Sequence, residues 1–147
     1  MFDPKTIDFY PLVIDEKIRF SDTDRQGHVN NVNFSFFYES GRSDLLDAHL
    51  QLFDSNCHFS LATIIINFTD EIRWPGHVDI ATGVESVGES STSFRQALFQ
   101  GGRCVSTSTS TMVQINTASR LSQPLSRPAR SALAAVACRG IVIPPGD

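Results

Sequence analysis

The chain has 147 residues, a length typical of one domain, and folding at this size removes roughly two-thirds of the unfolded chain's surface from water. Its 12 Lys and Arg residues against 16 Asp and Glu residues give a net charge of −4. The sequence contains no basic cluster, which disfavours nucleic-acid binding, and its apolar runs are too short to cross a bilayer. We therefore expect a single domain that binds neither nucleic acid nor membrane.

The cysteines and histidines do not form a metal-binding pattern. Cys57, Cys104 and Cys138 are odd in number and widely spaced, which argues against a disulfide framework and against a zinc site. The histidines lack the close spacing that places two imidazoles on one metal ion, so we expect no metal and no cofactor. The first residues carry two acids and an early proline but no apolar secretory stretch, so we expect a cytoplasmic location.

A strand pattern and then a helix pattern open the chain. Residues 12–20 are rich in β-branched side chains and end in an apolar–polar alternation, which predicts a strand. From Val32 the apolar residues recur at the spacing of an amphipathic helix of about 17 residues, with Asn30 or Asn31 as the predicted N-cap. The apolar stripe of this helix consists of Phe34, Phe37, Tyr38, Gly41, Leu45, Leu46 and Leu50.

The rest of the chain is predicted to be mainly β-strand. A break at Trp74-Pro75-Gly76 follows the first of these strands, and Gly101-Gly102 forms a tight hairpin turn between the last two. A short alanine-rich helix is predicted at 129–138. One long helix and about five strands predict an α+β fold, in which a curved antiparallel sheet wraps the helix. The later strands are predicted at 59–68, 78–87, 91–99 and 104–115.

The polar segment 21–31, which joins the first strand to the long helix, holds the candidate chemistry. Free N–H groups and the positive end of the helix dipole meet at its end, where they can stabilise a carbonyl oxygen that gains negative charge. A carboxylate a few residues upstream can act opposite that oxygen. Gly27 allows the backbone to turn sharply and to approach a ligand closely.

The same segment carries a family resemblance. It reads Phe20-Ser21-Asp22-Thr23-Asp24-x-x-Gly27-His28-Val29-Asn30-Asn31, and Phe37-Tyr38-Glu39-x-x-Arg42 follows on the helix. This pattern resembles the hotdog-fold acyl-CoA thioesterases of the 4-hydroxybenzoyl-CoA thioesterase type. The likeness covers about residues 12–133 and leaves 134–147 as a C-terminal tail. It implies a hotdog fold, whose central helix is the one predicted from the apolar stripe. The later matching stretches are Ile66-Asn67-Phe68, Val87-Gly88-x-Ser90-Ser91 and Arg127-Pro128.

The resemblance also implies roles for individual residues. The family's catalytic carboxylate corresponds to Asp24, as general base or as nucleophile, and the helix-start N–H that holds the thioester oxygen lies near Asn31. His28 either orients the water or the carboxylate, or only forms a hydrogen bond within the loop. Family members pair protomers with the active sites at the interface, so we expect an acyl-CoA substrate and a homodimer or homotetramer. Substrate contacts are expected from Gly27, Asn30, Phe68, Ser90 and Ser91.

The main hypothesis is hydrolysis of an acyl-CoA to a free carboxylic acid and CoA, and two alternatives stay open. One is a hotdog dehydratase or hydratase, which would need His28 as base with an acid such as Glu39. The other is a non-catalytic module that binds acyl thioesters. Glu39 lies about two turns into the helix and is predicted to be a structural partner of Arg42 or Ser43.

Overall fold

A five-stranded antiparallel sheet and one long helix dominate the computed structural model, which describes residues 2–53 and 55–144. The strands lie in the order β1-β3-β4-β5-β2 across the sheet. The predicted α+β architecture is confirmed, while residues 145–147 of the predicted tail lie outside the described residues. The strands are β1 (Leu12–Lys17), β2 (Cys57–Phe68), β3 (His77–Val87), β4 (Ser91–Gln100) and β5 (Arg103–Asn116).

The long helix, α1, spans Asn31–Ser43 and continues as a π-helical turn over Asp44–His49. Together they match the predicted length. The side chain of Asn30 accepts a hydrogen bond from the Val32 N–H at 3.1 Å, so Asn30 is the N-cap. A second helix, α2, spans Arg127–Ala135, slightly earlier than the predicted 129–138.

The first strand ends earlier than its alternation predicted. Instead of continuing to Phe20, β1 stops at Lys17, and a 3₁₀ turn begins at Phe20, whose side chain is 71% exposed. The cause is a side chain that competes for the backbone: Asp22 accepts a hydrogen bond from the Arg19 N–H at 2.8 Å and closes the turn.

Contacts between α1 and the inner face of the sheet hold the helix in place. The Tyr38 hydroxyl donates to Ser106 Oγ on β5 at 2.6 Å. At Gly41 the helix comes so close to the sheet that an added Cβ would lie 2.6 Å from Thr82 Oγ1. This close approach fixes where the N-terminus of α1 stands relative to the sheet, and therefore positions the polar segment.

The strand order leaves β1 and β2 at the two edges of the sheet. The edge strand β2 has 12 residues and carries Leu61, Ile65 and Phe68 as exposed apolar side chains.

In the hairpin turn between β4 and β5, Gly101 and Gly102 adopt φ angles of +59° and +77°, which confirms the predicted glycine turn. Within the described part of the chain, no helix is both long and apolar enough to span a membrane.

Candidate active site

A tight turn presents Asp24 between β1 and α1. The Asp24 N–H donates to the His28 carbonyl at 2.9 Å, and the Gly27 N–H donates to the Asp24 carbonyl at 3.0 Å. Gly27 has a φ of +85°, a conformation that side chains with a Cβ disfavour. One carboxylate oxygen of Asp24, Oδ1, accepts from the Gln26 N–H at 2.9 Å. The other carboxylate oxygen has no hydrogen-bond partner among the described residues.

The two acids of the Asp-x-Asp pair have different surroundings. Asp22 is 4% exposed and accepts from the Arg19 N–H at 2.8 Å and from Arg19 Nη2 at 3.1 Å. Its carbonyl accepts from the Asn30 N–H and from Asn33 Nδ2, at 2.9 and 2.7 Å. Asp22 therefore holds the segment together, whereas Asp24 is only partly buried and stays open to a ligand.

The start of α1 offers a donor for an oxygen atom. The Val32 N–H is bound by the Asn30 side chain, and the Asn33 N–H donates to the Asn30 carbonyl at 2.9 Å. The Asn31 N–H is the first of the helix, so no preceding helical carbonyl is available to it. It has no hydrogen-bond partner in the described ranges. Because the helix dipole is positive at this end, a developing negative charge is stabilised there.

Asp24 and Asn31 line one cavity of about 420 Å³. Phe34 and Phe68 form its apolar side, and their ring centroids lie 4.9 Å apart. Phe68 is the last residue of β2, and more than half of its side chain is exposed. The structure thus brings a free carboxylate oxygen, a free N–H group and an apolar wall to one place. The full lining is Asp24, Gln26, His28, Val29, Asn31, Phe34, Phe68, Asp70 and Glu71.

His28 pairs with Glu71, a residue that no motif in the sequence indicated. Its Nε2 lies 3.0 Å from Glu71 Oε2, in the segment that follows β2. The backbone of His28 also forms a bridge with Arg73, which ties the loop to that segment. The ring is therefore paired with a carboxylate outside the loop, a contact that neither of the two predicted roles included.

The neighbouring acid, Asp70, is held in its charged form. The Glu71 N–H donates to Asp70 Oδ1 at 2.7 Å, and Arg103 forms an ion pair with its Oδ2. These contacts lower the pKa of the Asp70 carboxyl below its ordinary value, with the backbone hydrogen bond as the main cause. Asp70 and Glu71 are adjacent to the matched stretch 66–68, but no local spacing in the sequence indicated that they face the loop.

Ser90 and Ser91 lie far from this cavity within one chain. They follow β3, whereas Arg73, which bridges to His28, lies just before β3. The 11 residues of that strand extend over on the order of 30 Å. Of the predicted substrate contacts, the structure therefore places Phe68 in the lining of the Asp24 cavity and Gly27 and Asn30 in the loop beside it, but leaves both serines at the other end of the sheet.

Glu39 is exposed on α1, and the predicted pairing with Arg42 or Ser43 forms neither a hydrogen bond nor an ion pair within residues 2–53 and 55–144. No group of three or more His, Cys, Asp or Glu side chains in those ranges could hold a metal ion.

Comparison with known proteins gives both a family and a fold. The family model of the thioesterase-like superfamily matches residues 18–136. No curated protein matches the sequence.

Solved structures of low sequence identity share the fold. The PA5185 protein of Pseudomonas aeruginosa strain PAO1 superposes with a TM-score of 0.85 at 22% identity, covering 92% of this chain and 97% of that chain. A predicted thioesterase from Bacillus stearothermophilus gives a TM-score of 0.77 at 21% identity, covering 85% and 95%. The DHNA-CoA thioesterase of Staphylococcus aureus gives 0.71 at 18% identity, covering 77% and 79%. The hotdog fold implied by the sequence resemblance is confirmed.

Proposed function

Because the chain belongs to the thioesterase-like superfamily and is a thioester hydrolase, we propose that it hydrolyses acyl-CoA with Asp24 as the catalytic carboxylate. One observation carries the proposal: the free carboxylate oxygen of Asp24 and the free N–H of Asn31 line the same cavity. A thioester carbonyl bound at Asn31 would place its carbon within reach of Asp24 or of a water molecule beside it.

The chemistry follows two possible courses. As general base, Asp24 takes a proton from water, the oxygen of that water bonds to the thioester carbon, and the carbonyl oxygen gains negative charge at the Asn31 N–H. Collapse of this tetrahedral intermediate breaks the C–S bond and releases the CoA thiolate, which takes up a proton. As nucleophile, Asp24 bonds to the carbon itself and expels the thiolate, and water then cleaves the mixed anhydride.

His28 has a positioning role in this proposal. Its Nε2 contacts Glu71 Oε2 at 3.0 Å, which holds the ring beside the cavity, and its carbonyl accepts from the Asp24 N–H at 2.9 Å. Both contacts support a fixed orientation of the Asp24 turn. Phe68 and Phe34 supply the apolar wall against which the part of the acyl group next to the carbonyl packs, while Gly27 and Asn30 shape the loop around it.

A CoA thioester is the proposed substrate, and this choice also bears on Ser90 and Ser91. The DHNA-CoA thioesterase among the similar structures acts on a CoA thioester, which supports the same class here. If CoA reaches the two serines, they must come from a second copy. A two-fold axis that pairs β2 with its counterpart in antiparallel fashion reverses the partner's strands. The end of the partner's sheet that carries its copies of the two serines then lies on the same side as the Asp24 cavity.

The exposed edge of β2 supports this homodimer. A long edge strand with exposed apolar side chains is a template for pairing with another chain. Static light scattering at micromolar concentration should therefore give a dimer or tetramer. A monomer that remains fully active would contradict the dimer and with it the role of Ser90 and Ser91.

The experiment for the activity is CoA thiol release from a panel of aryl and aliphatic acyl-CoAs. Release of thiol with formation of the free acid supports hydrolysis. Hydration of an enoyl-CoA without thiol release would support the dehydratase alternative, with His28 as base. Tight binding of acyl-CoA without either reaction would support the binding module, and both outcomes would refute the proposal.

A further inference from the structure

Arg42 is a buried cation with little to neutralise it. Its side chain is 4% exposed, on the part of α1 that faces the sheet. Nη1 donates to Gln96 Oε1 at 3.1 Å, whereas the buried Nε has no hydrogen-bond partner. Within residues 2–53 and 55–144, no carboxylate lies within 4.0 Å of the guanidinium.

The one hydrogen-bond acceptor of Arg42 among the described residues is the neutral side chain of Gln96. The side-chain amide of Gln96 donates to the Tyr38 carbonyl and to Thr82 Oγ1, each at 2.9 Å, so that its oxygen is left for Arg42. An amide oxygen does not compensate a full positive charge removed from water. Burial accordingly lowers the pKa of the Arg42 guanidinium, and only the charge of the exposed Glu39 acts in the other direction.

Arg42 also lines one of the cavities beside α1, which we call the α1–β2 groove. This groove has a volume of about 470 Å³ and lies between α1, β2 and β5, with mainly apolar walls, and Arg42 is the one buried charge among the described residues that line it. The groove is lined by Val32, Ser35, Phe36, Glu39, Arg42, Ser43, Leu46, Phe53, Phe59, Leu61, Ile64 and Met112.

More unpartnered polar groups lie on the sheet near Arg42. Ser108 on β5 is the cross-strand neighbour of Gln96, and Ser110 follows it on the same face of the strand. Both hydroxyl oxygens are buried and lack a hydrogen-bond partner among the described residues. Each hydroxyl is therefore an unused donor on the strand next to Gln96, the residue that binds Arg42.

The groove starts next to the Asp24 cavity. Val32 and Ser35 line it and directly follow Asn31 and Phe34 of that cavity. Arg42 stands 11 residues after Asn31, which is about 16 Å along the helix axis. Because helical side chains lean towards the N-terminus, the guanidinium lies closer to Asn31 along the axis than the Arg42 backbone does. An acyl group of medium length bridges this shorter separation.

We propose that the α1–β2 groove binds the acyl group of the substrate and that Arg42 binds a carboxylate at its far end. The substrate class is then a CoA thioester of a medium-length dicarboxylic acid. This proposal rests on the proposed thioesterase function. Arg42 is a specificity-determining residue that contacts the acyl tail, while Asp24 and Asn31 act at its carbonyl.

The test compares suberoyl-CoA with octanoyl-CoA, which have the same carbon number and differ only in a terminal carboxylate or methyl group. The measurement is kcat/KM from CoA thiol release. For the wild-type protein we expect suberoyl-CoA to be preferred. Arg42→Gln should reduce the ratio of the two kcat/KM values by roughly 10- to 100-fold, and Arg42→Lys by less. Equal use of both thioesters by the wild type, or an unchanged ratio in folded Arg42→Gln, overturns the proposal.

A second variant tests the groove without replacing the buried Arg42, so its result does not depend on whether the Arg42 variants fold. Ser35 is exposed on the groove wall, and Ser35→Asp adds a negative charge in the path of the acyl tail. It should lower the suberoyl-to-octanoyl ratio. Ala48→Asp adds the same charge on an exposed position outside the groove and should leave the ratio as it is. A ratio that responds equally to both variants contradicts binding in the groove.

Binding of the free acids separates this proposal from the proposed function. Isothermal titration calorimetry should show suberate binding more tightly than octanoate to the wild-type protein, and Arg42→Gln should remove the difference. If octanoyl-CoA is hydrolysed but suberate is not preferred, the groove proposal fails and the thioesterase function stands. If no thioester is hydrolysed but suberate binding depends on Arg42, the function fails and the anion site remains.

Discussion

Replacing Asp24 by asparagine tests the catalytic carboxylate directly. The amide keeps the size of the side chain, and its oxygen can still accept the 2.9 Å hydrogen bond from the Gln26 N–H. The second position, a carboxylate oxygen without a partner in the described ranges, then carries an NH₂ group that cannot take a proton. We therefore expect Asp24→Asn to fold normally and to lose the base.

The expected loss is large in kcat and small in KM. General-base help contributes about 10²- to 10⁴-fold, which corresponds to about 3–5 kcal/mol of activation free energy. The loss should be greater if Asp24 is the nucleophile, because no mixed anhydride can then form. KM should change little, since the Asn31 N–H and the Phe68 wall remain. The assay is CoA thiol release under saturating acyl-CoA.

Two control variants sharpen the result. Asp22→Asn weakens the hydrogen bonds that a buried carboxylate accepts from Arg19, so it should lower the free energy of unfolding by about 2 kcal/mol. The folded fraction should keep most of its kcat. Glu39→Gln should also keep kcat. If Asp24→Asn retains near-wild-type kcat while either control abolishes it in a folded protein, the assignment of the catalytic carboxylate is refuted.

Three further predictions concern the packing around Gly41, the reactivity of Cys138 and the expected independence of the activity from metal ions. Gly41→Ala should lower the free energy of unfolding by about 1–3 kcal/mol, because its Cβ would lie 2.6 Å from Thr82 Oγ1 and 2.8 Å from Gln96 Nε2. A denaturant midpoint equal to that of the wild type would contradict this close approach. Burial raises the pKa of the Cys138 thiol to about 12, so below that pH the unreactive thiol form dominates. Mass spectrometry should find Cys138 unmodified by iodoacetamide at mildly alkaline pH until denaturant is added, and activity should survive its replacement by serine. Dialysis against EDTA should leave turnover intact, and restoration of lost activity by zinc would reveal a metal that we have not identified.

The sequence predicted the secondary structure well because its signals are local. The 3.6-residue apolar period and the Asn30 cap act within α1 itself, and the glycine pair between β4 and β5 needs only its own positive φ angles. The end of β1 was predicted too late for an equally local reason. The alternation at Ile18 and Phe20 resembles a strand, but the Asp22 side chain captures the Arg19 N–H and starts a turn.

The Asp24 turn could also be predicted, since its parts are contiguous in the chain. Asp24, Gly27 and Asn31 lie within eight positions of each other, so one turn and one helix start bring them together. Asp22 and Asp24 are only two positions apart, yet their burial differs. Spacing alone did not distinguish them, and the family resemblance supplied the choice.

Only the tertiary structure decided which distant residues meet at the site. Glu71 reaches His28 across 43 positions, because the end of β2 folds back beside the loop. Ser90 and Ser91 stand at the far end of β3, since strand direction and register separate them from Asp24. The burial of Arg42 depends on how closely Gly41 lets the helix approach the sheet. Such contacts arise from sheet order and helix packing, which no local period in the sequence encodes.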